Sequence, residues 1–536
     1  MKAATAIGHG KDPRGLTAAG IIKAGRPVSA LGFGSRFGRF FPSLPGAEFS
    51  DADLQKLADE MVAPFDPPKD GLDSEESGIP AIFTYFGQFV DHDLTFDPEG
   101  SFQKEKDPTA TIDFRTPAFD LDNVYGRGPG DQPYMYNKDG TFFLGDQITN
   151  GEPNGDMARD LPRGPGERAL IGDPRNDENA IVSQLQGLLL RFHNRVVKDN
   201  ANVPKIDFMG FQKIVRWHYQ YVVVNDFLSR IVSPTVLDTL KKNGIYDESK
   251  LKLWKKDDLK NPFMPVEFSV AAYRLGHSMV RPGYRLNDAV IEAIFPVKRD
   301  SGMNFPEGLT GFRKLISNWA IDWDRFINLN KRDYGKDPDL VAKMDPGIKR
   351  EAEIRKIYRR LQFAYCIDTS LVNPLGMLPP SVASDPSSLA LRNLKRGVDF
   401  GLPSGQMVAE FLEVPTLKND EIKIGKFGDN DQKSISEIAG GAFKNRCPLW
   451  TYVLAEAMHH AEDVEIPVKG EKKKIKTPKL GPVGGRIVAE VFIGLLFADS
   501  RSYLNINPKW QPNNGNDFGL REFIAYALGE EGISVI

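Results

Sequence analysis

The sequence predicts a mainly α fold: a single large helical domain with long irregular loops and minor β-hairpin content. Three observations carry this. Apolar residues recur at three- and four-residue steps over several stretches of helical length. The 50 glycines and 38 prolines concentrate between those stretches and punctuate them. Hydrophobic residues make up 41% and charged residues 26% of 536, enough apolar surface for a packed core, so global disorder is ruled out.

Taken in order, residues 1–30 read as an extended arm, residues 31–510 as the main domain, and residues 511–536 as a C-terminal segment packed on it. Residues 66–80 are a turn-rich connector. Ile82 to Phe96 has few polar residues and no proline, and reads as a mostly buried helix. From Asp97 to Pro174 the chain is dense in Gly, Pro, Asp and Asn; a stretch this long without clear helix is more often ligand-organised than idle. Within it, residues 134–145 fit a hairpin turning at Lys138-Asp139-Gly140. Ala180–Val197 places Ile181, Leu185, Leu188, Leu189, Phe192 and Val196 on one helical face, and Phe211–Val232 repeats the pattern. Further helices are predicted at 266–281, 347–364, 404–413, 448–461 and 484–498. The lysine-rich run 469–479 reads as a solvated loop.

Composition also excludes functions. A net charge of −3 gives no electrostatic footprint for nucleic acid. The longest apolar run, Val488–Ala498, contains Glu490 and is far short of the roughly 20 residues of a membrane span. No apolar core of signal-peptide length is visible. The expectation is therefore a soluble protein, cytoplasmic or exported without a cleaved signal, of open oligomeric state. Cys366 and Cys447 could form one bridge at most, so no disulfide framework is expected.

Seven histidines are the shortest route to chemistry. His9 lies in the arm; His193 and His218 suit structural roles on amphipathic helices; His459 and His460 sit at a helix end. His92 differs. Gln88 lies four residues before it, hence on the same helical face, and Asp91 and Asp93 bracket it. Burying an amide beside an imidazole is costly unless both meet polar partners or a ligand; the bland alternative is a helix end carrying solvated acids. His277 follows Gly276, which removes bulk and permits close approach of a large flat group. Arg274, three residues earlier, could meet an acid of that group. Two histidines in separate apolar helices fit an axial and a distal haem pair.

Four segments, in order, then match a known pattern. Gln88-Phe89-Val90-Asp91-His92-Asp93 resembles the distal histidine motif of the animal-type haem peroxidases, the peroxidase–cyclooxygenase superfamily that includes myeloperoxidase, lactoperoxidase and their bacterial relatives. Pro174 to Glu178 resembles the distal arginine motif, Tyr273 to His277 the proximal motif, and Asn393 to Pro403 the segment supporting the proximal histidine. The resemblance runs from about residue 80 to 405, and more weakly to about 500. It implies a haem peroxidase domain that reduces hydrogen peroxide through a ferryl intermediate and oxidises halides, thiocyanate, phenols or other small organic donors.

The resemblance assigns His277 as the ligand of haem b iron, with Asn393 accepting a hydrogen bond from its other nitrogen. It assigns His92 as the acid–base group, Arg175 as the stabiliser of developing negative charge, and Gln88 as a holder of water or halide. Arg274 and Arg396 are implied partners of the haem propionates. Asp91 and Glu178 occupy the positions that form ester bonds to haem; capping of helix ends is the alternative reading of both. Asp93, Thr116, Ala118, Asp120 and Asp122 match the calcium loop, with Asp122 standing where mammalian members carry serine. Asn179 replaces the methionine from which a sulfonium link forms. Arg274 stands where the cyclooxygenase branch has its radical tyrosine, with Tyr273 one residue away, which disfavours fatty-acid dioxygenation. The competing functions are that dioxygenase chemistry and a haem-bearing adhesion or matrix protein.

Overall fold

The computed structural model describes residues 37–64, 75–95, 117–148, 158–296 without 202, 204 and 205, 308–329, 361–513 without 381, 384, 469 and 470, and 517–535 without 531. The N-terminal arm, His9 and Thr116 lie outside the described residues, as does most of the helix expected at 347–364. Helices dominate. Helix α1 (Asp51–Met61) starts at Ser50, whose hydroxyl accepts from the Asp53 amide, and packs on α5 (Leu389–Asp399). Helix α2 (Ile82–Leu94) is buried on almost every side; its partly open residues are Gly87, Gln88 and Asp91. That stripe, at spacings of one and three, is the face that the cavity described below uses.

Helix α3 (Ala180–Asp199) begins where the Asn179 side chain accepts from the Ile181 amide, a standard N-cap for otherwise unpaired helical donors. It packs on α2 and on α4 (Phe208–Val222). Rather than running unbroken to Val232, α4 passes into a π turn at Val223–Phe227 before a last helical turn, Leu228–Ile231. The helix expected at 266–281 differs more: a π turn over Glu267–Ala271 is followed by a tighter turn over Ala272–His277. Such departures are frequent at functional sites because they re-aim side chains within a helix.

Helices α6 (Gly405–Phe411), α7 (Leu449–His459) and α8 (Gly484–Ala498) complete the core. All of Gly484–Leu496 is buried, which explains its apolar run without a membrane. Among the described residues no helix is long and apolar enough to cross one. Glu490 is satisfied inside by Arg486 Nε (2.5 Å) and by the amides of Lys252 and Leu253 (both 2.8 Å). Helix α9 (Leu520–Ala527) lies on α3, with Phe523 stacked on Phe192 at 3.8 Å between ring centres.

Strand content is minor and two-stranded. β1 (Glu76–Pro80) pairs antiparallel with β2 (Phe363–Tyr365), so the end of the expected connector and the end of the expected 347–364 helix are both strand. The lysine run is likewise not a loop: β3 (Glu462–Val468) and β4 (Glu471–Thr477) form an antiparallel hairpin. Its lysines meet acids across the ladder, Lys476 with Asp463 (3.1 Å) and Lys472 with Glu465 (3.0 Å), while Ile466 packs with Leu361 and Phe363 beneath. The expected turn at Lys138-Asp139-Gly140 forms, bridging Tyr136 to Phe142 with Gly140 at φ +85°.

Candidate active site

The partly open stripe of α2 forms one wall of a cavity of about 690 Å³. Gln88, Asp91 and Glu178 line that side; Tyr273, Arg274, Gly276 and His277 line the other. Gly276 keeps this wall low, since a Cβ there would meet nothing within 4 Å. Phe227, delivered by the α4 π turn, touches the place a Gly87 side chain would fill, and Tyr273 Oη donates to the Gly87 carbonyl (3.0 Å). A polar cavity of about 250 Å³ shares Asp91, Ser269 and Arg274 with the first and adds Arg175 and Arg396.

The segment carrying Arg175 and Glu178 is pinned from both sides. Asp173 accepts from the Arg175 amide (2.8 Å), while the Glu178 and Asp177 carbonyls accept from the amides of Gly311 (2.9 Å) and Phe312 (2.6 Å). Gly311 is needed for that approach, because a Cβ there would stand 1.8 Å from the Asp177 carbonyl oxygen. Asn179, not Glu178, caps α3, so the Glu178 carboxylate is left to the cavity. There it accepts from Gln88 Nε2 (2.5 Å) and lies 3.5 Å from His92 Nε2. Burial works to raise the Glu178 pKa, but His92, Arg175 and Gln88 outweigh it and hold it below the usual range.

His92 is 4% exposed and stands behind Glu178, which lines the cavity where His92 does not. Its Nδ1 lies 2.7 Å from Asn176 Oδ1, and Asn176 Nδ2 donates to Gln186 Oε1 on α3 (2.8 Å). Sequence reasoning passed over Asn176 and Gln186; the available signal was an amide between Arg175 and Glu178 in a segment already singled out. Arg175 donates through Nη2 to the carbonyls of His92 (3.2 Å) and Thr95 (2.5 Å) and to Asp173 (2.9 Å). Burial opposes its charge, but Asp173 raises its pKa above the ordinary value, so it stays cationic. It faces the smaller cavity with Arg274 and Arg396.

On the opposite wall, burial and then Arg274 push His277 down to about 3, which keeps the imidazole neutral. Asn393 lies beside it but not as expected: its Nδ2 faces His277 Nδ1 (2.8 Å), while its Oδ1 accepts from Arg274 Nη1 (2.9 Å). The reason is donor arithmetic. A guanidinium has only donors, so it claims the amide oxygen and turns the nitrogen to histidine. Burial and the nearby Arg396 push Arg274 itself down to about 10; two adjacent half-buried cations favour an anion between them.

These residues fit haem. The larger cavity has a neutral histidine on one wall, the smaller one pairs Arg274 with Arg396, and both are lined by Ser269, whose buried hydroxyl has no partner among the described residues. A separate cluster fits a cation. Carboxylate oxygens of Asp93, Asp120 and Asp122 lie within 4.8 Å of one another, all buried, an arrangement that is costly without a neutralising ion. Leu121, at φ +57°, turns the loop so that its amide donates to Asp93 Oδ2 (3.3 Å). Ala118 is buried in the same loop, and Arg216 Nε and Gln220 Nε2 hold the carbonyls of Asp120 (2.7 Å) and Phe119 (2.9 Å). The other histidines are structural in their contacts: His193 lies between Tyr125 Oη (3.0 Å) and the Gly140 carbonyl (3.1 Å), and His218 Nδ1 beside the Ile214 carbonyl (2.8 Å). His459 Nε2 meets the Glu421 carbonyl (2.8 Å).

The animal haem peroxidase family matches residues 100–309. Human thyroid peroxidase is 26% identical over 256 residues, covering 46% of this chain and 23% of that protein. Matches to the curated relatives span 14% to 27% of their length. Among solved structures, peroxidase A from Dictyostelium discoideum superposes with a TM-score of 0.55 at 16% identity, covering 95% of this chain and 97% of that one. The Oryza sativa fatty acid alpha-dioxygenase gives 0.50 at 16% identity, covering 92% and 82%.

Proposed function

We propose that the chain is a calcium-stabilised haem peroxidase of the animal type, the family whose pattern residues 100–309 match. It would reduce hydrogen peroxide and oxidise halide, thiocyanate or small organic donors. The observation that carries this reading is a cavity lined by His277, Gln88 and Glu178 that shares Asp91, Ser269 and Arg274 with a smaller polar cavity holding Arg175 and Arg396.

His277 would hold the haem iron, with Arg274 and Arg396 meeting the propionates. Bound haem supplies the redox centre that takes oxidising equivalents from peroxide and returns them to the donor. The chain supplies the proton traffic: His92 takes a proton from one peroxide oxygen and returns it to the other. Arg175 stabilises the negative charge that builds as the bond breaks, and Gln88 orders water or halide. Asp91 and Glu178 line the cavity from two different segments, which suits both to ester bonds with haem methyl groups. Asp93, Asp120 and Asp122, with oxygens of Thr116 and Ala118, would hold calcium.

One observation favours a second reading, fatty-acid dioxygenation: Tyr273 lines the same cavity. An absorbance scan, followed by peroxide with iodide or a phenol, tests the first reading. Absence of a Soret band after haem supply would sink both. Oxygen uptake with palmitate, in the absence of peroxide-dependent turnover, would select the second. Denaturing mass spectrometry before and after brief peroxide treatment tests the esters, which the Asp91→Ala, Glu178→Ala double variant should abolish.

A further inference from the structure

We infer that Asn176 is a positioning residue for His92, deciding which ring nitrogen carries the fixed proton; this deepens the reading of His92 as the acid–base group and rests on it. The three side chains form a short line from the α2 wall into α3. Asn176 Oδ1 faces His92 Nδ1 at 2.7 Å, and Asn176 Nδ2 donates to Gln186 Oε1 at 2.8 Å. Asn176 and Gln186 are fully buried, and His92 nearly so, so water does not compete for these contacts. An amide oxygen only accepts, and therefore the proton between Asn176 and His92 belongs to Nδ1.

The consequence falls on the other nitrogen. With Nδ1–H committed to Asn176, the proton that comes and goes is carried by Nε2, the nitrogen 3.5 Å from the Glu178 carboxylate that lines the cavity. A neutral imidazole left to itself in water favours the opposite tautomer, with the proton on Nε2 and no lone pair to offer there. Asn176 thus keeps the exchangeable site of the imidazole at Nε2, on the Glu178 side. Gln186 couples to this orientation: its Oε1 accepts from Asn176 Nδ2, so an exchange of the amide ends would require Gln186 to turn as well.

The test reads the tautomer directly. The full chain is labelled with 15N-histidine, held in the diamagnetic ferrous carbonyl state where haem is bound, and the His92 signal is identified by its loss in His92→Ala. We expect neutral His92 to show a protonated Nδ1 and an unprotonated Nε2. In Asn176→Ala the proton should move to Nε2, and the rate with peroxide should fall about 10- to 100-fold, short of removing the base altogether. Asn176→Asp, which keeps an accepting oxygen, should restore the Nδ1–H form. A protonated Nε2 in the neutral wild-type protein overturns the inference, as does a tautomer that Asn176→Ala leaves unchanged. The peroxidase reading fails separately, by absence of peroxide-dependent turnover, while the tautomer stays readable.

Discussion

At the scale of single residues, the side chain with most influence beyond those facing the cavity is Asn393, held between Arg274 and His277. An imidazole that ligates metal needs its second nitrogen anchored, and loss of such a partner typically costs about 10–100-fold in affinity or activity. Asn393→Ala should therefore weaken haem uptake by that order in a spectrophotometric titration. Asn393→Asp, which offers an acceptor to both neighbours, should retain it; equal retention by both variants would remove Asn393 from the haem site. His92→Ala should behave oppositely, keeping haem but slowing the reaction with peroxide at least about 100-fold. Stopped-flow mixing decides that. His92, His277 and their flanking residues could be picked out as candidates in the sequence because motifs keep such groups at fixed spacing. The amide orientation of Asn393 was not, because it depends on Arg274 competing for the oxygen, and spacing says nothing of competition.

At the scale of elements, the edge 309–312 does the work of a clamp, and Gly311 permits it. A methyl at that position would stand 1.8 Å from the Asp177 carbonyl oxygen, backbone that cannot rotate away. Gly311→Ala should push the 173–179 segment from its seat, costing about 1–3 kcal/mol as overpacking does. It should also impair haem uptake by misplacing Arg175 and Glu178. Thermal melting with a haem titration on the same sample checks both, and an unchanged melt would show the clamp to be dispensable. Helices α2, α3 and α8 were legible because each buries a face, or all faces, and so imposes a pattern on its apolar residues. The β3–β4 hairpin was not: each strand buries few apolar side chains, and its lysines acquire acidic partners only once the strands pair. The π turns at 223–227 and 267–271 escaped for a different reason. A π turn keeps helical composition and shifts only the register, so periodicity alone cannot separate it from α-helix.

At the scale of the whole molecule, buried carboxylates set how stability answers pH and metal. Burial raises Asp368 from 3.8 and Glu456 from 4.5, each to about 7. With folded pKa values above unfolded ones, the folded state binds more protons between about pH 4 and 7. Their contribution is therefore complete below about pH 4 and is lost as pH rises through 7. Denaturant midpoints should show this component in wild type and less of it in Asp368→Asn; an identical pH slope in the variant would refute the assignment. The cluster of Asp93, Asp120 and Asp122 runs the other way. Its three buried carboxylates fit a cation, and the ion would join α2, directly after His92, to the 117–122 loop that Arg216 and Gln220 tie to α4. A ligand that binds only the folded state at about 100 times its Kd adds about 2.7 kcal/mol. Chelation should accordingly lower the melting temperature, and the Asp120→Asn, Asp122→Asn double variant should melt low from the start and ignore the chelator. Because Asp93 is adjacent to His92, the loss should also loosen the distal wall and reduce activity before the fold gives way. Metal analysis of active, undialysed protein that finds no calcium would overturn the assignment, whatever the variants do.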